Sequence, residues 1–238
     1  MTSQRGSIAL GFDVGETLLT YADIPLSWVE QYPAALTAAA RACELAPSSK
    51  NFALACARLS EFNTRLHPRR VETTAEKIFE PIVKAWGSDS REILGSAIRA
   101  FFEFFQQRMA AYPETRAVLL ECGARNIPMG ALTDVPYGMP REFVLRDLAA
   151  AAVNDLLPCV ITSVEVGVRK PEAQGFQMLA EKLGVTTDRL WYVGNEEKDI
   201  VGARNVGAVA IMVDRDNRHP AWGQHHTIRD LSGLLDLL

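Results

Sequence analysis

Residues 8–21, IALGFDVGETLLTY, contain a short apolar run that ends in a carboxylate, Asp13. Gly15, Glu16 and Thr17 follow in the next turn, and apolar residues then resume. A strand that delivers a carboxylate into a glycine-containing turn is typical of a loop that carries chemistry. These residues therefore predict the first strand of a sheet, with a candidate site where that strand ends.

Further β-rich runs lie C-terminal to residue 110, with helical patterns before and between them. The runs are IPMGALT at 127–133, CVIT at 159–162, LWYVG at 190–194 and AVAIMV at 208–213. The helices are predicted at 114–125, 139–150, 172–183 and 199–206. This alternation predicts an α/β fold with a Rossmann-like parallel sheet and right-handed crossovers. Ligands bind outside the carboxyl ends of such strands, where Asp13, Thr133 and the residues after Gly194 fall.

Residues 20–110 differ from the rest, because only Gly87 and Gly95 interrupt a composition rich in Ala, Leu, Arg, Glu and Phe. These residue types favour helices, and apolar residues recur at helical spacing in SREILGSAIRAFFEFFQQRM, residues 90–109. Further helices are predicted at 27–45, 49–66 and 73–86, and Pro33 is expected to kink or split the first. We predict an α/β core domain at 1–19 plus 111–238 and an inserted helical cap domain at 20–110.

The bulk composition excludes several classes of protein. A formal net charge of −4 argues against a general nucleic-acid binder, because a phosphate backbone favours clustered Lys and Arg. The four cysteines form no CxxC pair, so neither a zinc site nor a disulfide framework is expected. The N-terminus lacks the apolar core of a signal peptide, and no apolar run approaches the ~18 residues of a membrane span. We therefore expect a cytoplasmic protein without a membrane partner.

Four short stretches occur in an order that has a known counterpart. FDVGETL contains Asp13 and Thr17, MGALT ends in Thr133, GVRKPE contains Lys170, and YVGNEEKDIVGARNVG contains Asp199. This order on an alternating α/β pattern resembles the haloacid dehalogenase-like hydrolase superfamily, whose commonest members are phosphatases. The resemblance covers essentially the whole predicted core, and the insertion at 20–110 is similar to the helical cap of that superfamily.

The resemblance implies a phosphoryl-transfer site. Asp13 would attack phosphorus and form an aspartyl-phosphate, which divides one difficult step into two. Thr133 and Lys170 would bind the phosphoryl oxygens, and Thr17 would contribute to substrate binding. The implied substrate is a small phosphorylated metabolite.

The resemblance also implies a magnesium cofactor, because two carboxylates and a phosphate need an intervening cation. The implied ligands are Asp13, the backbone carbonyl of Gly15, and two residues of the last motif, Asn195 and Asp199.

Two positions depart from the pattern of the superfamily. Its phosphatases usually carry a second aspartate two residues after the nucleophile, which acts as the general acid and base, and Gly15 stands there instead. Glu16 is a candidate replacement, and its alternative interpretation is a residue that shapes the loop. Asn195 stands where an aspartate usually binds the metal, so the site loses one negative charge.

These departures leave three functions open. The first is a magnesium-dependent phosphatase with an altered acid/base arrangement. The second is a catalytically impaired, phosphate-binding pseudoenzyme. The third is a metal-independent 2-haloacid dehalogenase, which the spacing of Asn195 four residues before Asp199 disfavours. The sequence does not indicate the particular substrate or the oligomeric state.

Overall fold

The structure is a computed structural model that describes residues 8–21, 27–106 and 109–238. Its strands are β1 Ala9–Phe12, β2 Leu19–Tyr21, β3 Met109–Ala111, β4 Met129–Thr133, β5 Cys159–Thr162, β6 Leu190–Gly194, β7 Val209–Val213 and β8 His226–Ile228. Six of them form one sheet in the order β5-β4-β1-β6-β7-β8, and each neighbouring pair is parallel. The first strand of the chain therefore lies near the middle of the sheet.

Helices occur both in the inserted segment and between the strands of the large sheet. They are α1 Tyr32–Ala42, α2 Ser49–Glu61, α3 Ala75–Ala85, α4 Arg91–Phe105, α5 Thr115–Ala124, α6 Arg141–Ala150, α7 Ser163–Val166, α8 Ala173–Lys182 and α9 Glu197–Asn205. Helices α5 to α9 follow and precede strands of the large sheet, as the predicted crossovers require. Helices α1 to α4 pack on one another, with α4 in contact with both α1 and α3. The predicted α/β fold is confirmed.

The structure also corrects the element boundaries. The helix predicted at 90–109 ends at Phe105, and Met109 begins strand β3. Pro33 lies in the first turn of α1 and does not kink the helix. Amide groups of the first turn have no hydrogen-bond partner within a helix, so the missing N–H of a proline costs no hydrogen bond there. Strands β2, β3 and β8 have three residues each and carry no long apolar run, so the sequence did not predict them.

Strands β2 and β3 pair with each other where the chain leaves and re-enters the core. The pair is antiparallel, and Leu19 lies opposite Ala111 while Tyr21 lies opposite Met109. The predicted division of the chain at 19/20 and 110/111 falls within this pair. The division into two domains stays a prediction, which this paired crossing supports.

A second connection joins the helical segment to the core. Val71 forms an antiparallel bridge with Val168. The Glu72 amide donates to the Gly167 carbonyl at 2.9 Å, and the Arg169 amide donates to the Arg70 carbonyl at 2.8 Å. The helical layer is therefore held against the core beside the residue that precedes Lys170.

Among the described residues, no helix combines the length and the apolar composition that a bilayer crossing needs.

Candidate functional site

Asp13 lies directly after β1, at the carboxyl end of the sheet and almost fully buried. Its amide donates to the Val193 carbonyl of the neighbouring strand at 2.9 Å, which fixes the backbone of the loop. Its Oδ1 accepts a hydrogen bond from Lys170 Nζ at 2.6 Å. Burial raises the pKa of Asp13 to about 6, although the charge of Lys170 opposes that shift.

Lys170 connects the predicted motifs. Its side chain is 1% exposed, and its Nζ lies 2.6 Å from Asp199 Oδ1 as well as from Asp13. The same nitrogen is 3.1 Å from the Tyr192 hydroxyl and 3.3 Å from the Leu132 carbonyl. Burial acts to lower the pKa of Lys170, but Asp13 and Asp199 outweigh it and hold that pKa well above its usual range. A charged lysine is therefore fixed beside the candidate nucleophile.

Thr133 and Asp134 lie at the end of β4, next to Asp13. Thr133 is buried and lines the same cavity as Asp13. Asp134 Oδ1 accepts from the Lys170 amide at 3.1 Å, and its Oδ2 lies 3.2 Å from Lys198 Nζ. Burial acts to raise the pKa of Asp134, but the charges of Lys170 and Lys198 hold it below its usual value. No sequence motif singles out Asp134.

The β6–α9 loop places Asp199 behind the cavity. Asp199 Oδ2 accepts from the amides of Asn195 and Glu196 at 3.1 and 2.9 Å, so it caps the start of α9. Thr17 donates its hydroxyl to Asn195 Oδ1 at 3.1 Å and thereby joins this loop to the Asp13 loop. Thr17 is fully buried and is not among the cavity-lining residues. Its predicted contact with substrate therefore stays a prediction.

Lys198 is a second cation at the site, and no sequence motif singles it out. Its Nζ lies 2.7 Å from Glu196 Oε2, and Arg65 of the helical segment reaches the other oxygen of Glu196 at 2.7 Å. Burial acts to raise the pKa of Glu196, but Lys198 and Arg65 lower it to about 2. The sequence run NEEKD indicated an acidic loop, and only the fold shows that its lysine faces the cavity.

Glu16 adopts a left-handed backbone conformation with φ 56°, which turns its side chain toward the β2–β3 pair. Its carboxylate accepts hydrogen bonds from the Tyr112 hydroxyl at 2.7 Å, the Thr20 hydroxyl at 3.3 Å and the Tyr21 amide at 3.3 Å. Glu16 also lines the cavity. These contacts show how it shapes the loop, and its predicted acid/base role stays a prediction.

A cavity of about 1180 Å³ opens in front of Asp13. Asp13, Thr133 and Lys170 lie on its core side. The helical segment and its connections contribute apolar and basic side chains to the opposite wall, among them Trp28, Arg65, Arg69, Phe102 and Phe105. The cavity therefore lies between the carboxyl end of the sheet and the helical layer.

Tyr21 and Asp147 form a further polar pair in this cavity. Tyr21 donates its hydroxyl to Asp147 Oδ2 at 3.0 Å, and Gln106 Nε2 donates to Asp147 Oδ1 at 3.0 Å. Asp147 lies on α6 and is 5% exposed. Burial raises the pKa of Asp147 to about 6, against the lowering effect of these two hydrogen bonds. No sequence pattern indicates this pair, because its members are 126 residues apart.

The donor atoms fit a magnesium ion only with help from a ligand. Asp13, Gly15 and Asn195 line the cavity and offer one carboxylate and two neutral oxygens. Asp199, the fourth predicted ligand, is not among the cavity-lining residues. Its Oδ2 accepts from two backbone amides, and its buried Oδ1 lies 2.6 Å from Lys170 Nζ without a hydrogen bond from a described residue. No group of three His, Cys, Asp or Glu side chains within 8–21, 27–106 and 109–238 is arranged to hold a metal. One carboxylate with phosphate oxygens and water is a sufficient set for magnesium.

The comparisons with known proteins identify the family of the chain. A profile of the haloacid dehalogenase-like hydrolases matches residues 9–207, and the chain therefore belongs to this family of hydrolases. A phosphatase of Mycobacterium tuberculosis is 31% identical over 65% of this chain and 70% of its own length. A phosphoserine phosphatase of Thermus thermophilus is 33% identical over 60% of this chain and 55% of its own length.

Solved structures share the fold across most of the chain. A haloacid dehalogenase-like phosphatase from Thermococcus onnurineus has a TM-score of 0.65 and 22% identity, and the match covers 97% of each chain. A 2-haloacid dehalogenase from Pseudomonas syringae has a TM-score of 0.64 and 20% identity, with 98% of each chain covered. Phosphatases and dehalogenases match almost equally well, so the fold alone does not separate these activities.

Proposed function

We propose that this protein is a magnesium-dependent phosphatase that acts on a small phosphorylated metabolite through an aspartyl-phosphate on Asp13. The observation that carries the proposal is the buried Asp13 carboxylate on the core side of the cavity. Its Oδ1 accepts a hydrogen bond from Lys170 Nζ at 2.6 Å. The family membership and the relatives named as phosphatases support phosphate esters as the substrate class.

The proposed reaction has two steps. In the first, an Asp13 oxygen attacks phosphorus, the bond from phosphorus to the ester oxygen breaks, and the leaving oxygen takes up a proton. In the second, water attacks the aspartyl-phosphate, which releases inorganic phosphate and restores the carboxylate. Nucleophilic attack needs the ionised carboxylate, and the adjacent charge of Lys170 favours that form.

Positive charge around the phosphoryl oxygens comes largely from the chain itself. Lys170 and Lys198 both contribute favourable charge at Asp13, and Thr133 offers a hydroxyl in the same cavity. Magnesium, held by Asp13, Gly15 and Asn195, would supply additional positive charge to the phosphoryl oxygens. The single carboxylate of that set predicts that magnesium binds more tightly when phosphate is present.

The test is release of inorganic phosphate from acetyl phosphate, p-nitrophenyl phosphate, phosphoserine and phosphoglycolate, with and without magnesium. The last two follow the printed names of relatives, a phosphoserine phosphatase and a phosphoglycolate phosphatase. Asp13→Asn should abolish release from every substrate. Asp188→Asn, an exposed carboxylate remote from the cavity, is the matched control and should leave release unchanged.

Three outcomes would contradict the proposal. Release that is equal in wild type and Asp13→Asn would show that another residue or a contaminant acts. Absence of release, together with stabilisation of the wild-type fold by phosphate or beryllofluoride, would favour the phosphate-binding pseudoenzyme. Metal-independent release of halide from a 2-haloacid would favour a dehalogenase.

A further inference from the structure

The structure places a tyrosine where the side chain at position 15 would extend. A Cβ built on Gly15 would meet the Tyr21 ring at 3.8 Å, and no other side-chain or backbone atom of the described chain comes within 4 Å apart from its sequence neighbours. The Tyr21 ring therefore lies next to the part of the cavity that a side chain at position 15 would enter. Tyr21 itself comes from β2, the strand that leaves the core.

The hydroxyl of Tyr21 is held by a buried carboxylate. It donates to Asp147 Oδ2 at 3.0 Å, and Gln106 fixes the other oxygen of Asp147 at 3.0 Å. Within residues 8–21, 27–106 and 109–238, no cation is a hydrogen-bond or ion-pair partner of the Asp147 carboxylate, and burial removes this carboxylate from water. Such an environment favours the protonated carboxyl, and the pKa of Asp147 is accordingly raised to about 6.

The rival donor, Glu16, points its carboxylate at other partners. Tyr112, Thr20 and the Tyr21 amide occupy it with hydrogen bonds from the strand pair. Tyr21 and Asp147 offer a hydroxyl and a buried carboxyl instead, and both line the cavity that contains Asp13.

We propose that Tyr21, positioned and recharged by Asp147, supplies the leaving-group proton that the absent side chain at Gly15 would otherwise supply. This inference rests on the proposed phosphatase function. When Asp147 is protonated at Oδ2, the hydrogen bond that Tyr21 otherwise donates to this oxygen reverses, and the Tyr21 O–H is free to donate to the leaving oxygen. In the first step the Tyr21 O–H bond breaks as its proton passes to the leaving oxygen, while Asp147 transfers its Oδ2 proton to the Tyr21 oxygen. In the second step water attacks the aspartyl-phosphate, one of its protons passes to solvent and the other stays on the released phosphate, and Asp147 regains a proton from solvent before the next turnover.

The relay makes a prediction about leaving groups. An alkyl phosphate needs a proton on the leaving oxygen, whereas acetyl phosphate and p-nitrophenyl phosphate leave as stabilised anions. Tyr21→Phe should lower kcat for glycerol 3-phosphate by about 10²–10⁴-fold, the usual effect of losing a general acid. Its kcat for acetyl phosphate should stay within about threefold of wild type, because general acid catalysis contributes little to that reaction.

Asp147 acts through Tyr21, so its test needs a signal that a purely structural role would not produce. Tyr21 and Gln106, from the elements that pack against α6, donate hydrogen bonds to Asp147 and act to lower its pKa. The wild-type kcat for glycerol 3-phosphate should rise with ionisation of Asp13 and fall with ionisation of Asp147, so its pH profile should be a bell with a maximum near pH 6. Asp147→Asn should remove that decline and lower the maximal kcat, with acetyl phosphate again little affected.

Two further variants serve as a rescue and as a control. Gly15→Asp in the Tyr21→Phe background should recover alkyl phosphate turnover at least tenfold, because the new carboxyl enters the same space. Tyr32→Phe removes another buried tyrosine hydroxyl, bonded to Tyr137 at 2.6 Å and outside the cavity lining, and should leave the leaving-group dependence unchanged.

Equal losses on alkyl and acyl phosphates in Tyr21→Phe, or no loss on either, would overturn the relay while leaving the proposed function intact. A selective loss in Glu16→Gln with none in Tyr21→Phe would transfer the acid role to Glu16 and also overturn it. If the wild-type protein releases phosphate from no substrate, the proposed function fails and the relay fails with it. Thermal denaturation of every variant separates these outcomes from misfolding.

Discussion

Lys170 shows how the candidate site depends on a buried charge that has more than one partner. Its ammonium lies between the carboxylates of Asp13 and Asp199 and is almost inaccessible to water. A buried ion pair contributes little relative to an apolar replacement, but removal of one member leaves a buried charge uncompensated.

Lys170→Met should therefore lower the free energy of unfolding by about 3–5 kcal/mol. Urea denaturation at neutral pH measures the change. Lys182→Met, at an exposed lysine near the end of α8, is the matched control and should stay within about 0.5 kcal/mol of wild type. A loss below about 1 kcal/mol for Lys170→Met would show that the carboxylates find other partners.

Asp147 predicts a pH dependence of stability with a definite sign. Its pKa is about 6 in the folded chain against the ordinary value of 3.8 for an aspartate, so the folded state binds its proton more tightly than the unfolded state does. Its stabilising contribution is complete below about pH 4 and is lost as pH rises through about 6.

Asp147→Asn has no such titration, so the variant should gain stability relative to wild type between pH 4 and pH 8. The gain should be on the order of 2–3 kcal/mol, since one unit of pKa shift corresponds to about 1.4 kcal/mol. Urea denaturation across this range measures it, with the exposed Asp155→Asn as the control. Stability curves that stay parallel would contradict the raised pKa.

At the residue scale the sequence predicted the candidate-site residues that stand in its four ordered motifs, among them Asp13, Thr133 and Lys170. Asp13 and Thr133 were found because a strand, a turn and a polar residue are adjacent in the chain. Asp134, Lys198, Tyr21 and Asp147 were not found, because their role depends on which side chains the fold brings together. The Tyr21–Asp147 contact, for example, joins a strand at the crossing to a helix far along the chain.

Helices α8 and α9 approach each other at a glycine. A Cβ on Gly202 of α9 would lie 2.6 Å from Phe176 Cζ and 3.0 Å from Pro171 Cα, and Phe176 is fully buried. Alanine normally favours a helix over glycine by about 0.5–1 kcal/mol, so packing and helix propensity oppose each other here.

Gly202→Ala should destabilise the protein by about 1–3 kcal/mol, because neither the fully buried ring nor the backbone at Pro171 can easily move. Gly95→Ala in α4 is the matched control. No atom lies within 4 Å of its added Cβ, so it should stabilise by about 0.5–1 kcal/mol. Urea denaturation of both variants measures the contrast, and two changes of the same sign would contradict the packing argument.

At the element scale the sequence predicted long or continuously buried elements and missed short ones. Strands β1 and β4 are buried at every residue, so they appear in the sequence as uninterrupted apolar runs. Strand β8 exposes His226 and Thr227 and buries only Ile228, so it has no such run. The end of α4 was placed too late because its apolar period continues through Met109, where the chain already pairs with β2.

At the scale of the whole molecule, Glu72 joins the helical segment to the core. Its side chain is 1% exposed, accepts from Ser163 Oγ at 2.6 Å and from Arg69 at 2.8 Å, and pairs with Arg169. Ser163 and Arg169 belong to the core, whereas Arg69 precedes α3. Loss of Glu72 would leave Arg169 buried without this partner.

Glu72→Ala should destabilise the protein by about 3–5 kcal/mol, the usual effect of removing one member of a buried pair. Amide hydrogen exchange should rise more in α2 and α3 than in the central strands. Glu80→Ala, at an exposed glutamate of α3, should change stability by no more than about 0.5 kcal/mol. Equal exchange in helices and sheet would show that the two parts unfold together.

The pairing of β2 with β3 has a consequence for the engineering of this chain. Tyr21 and Met109 lie opposite each other in an antiparallel pair, where Cα atoms are about 5 Å apart. A two-residue turn is long enough to join such positions, so it could connect β2 directly to β3 in place of residues 22–108. The same two points form a natural graft site, through which a helical segment from a relative could be exchanged while Asp13, Lys170 and Tyr21 keep their places.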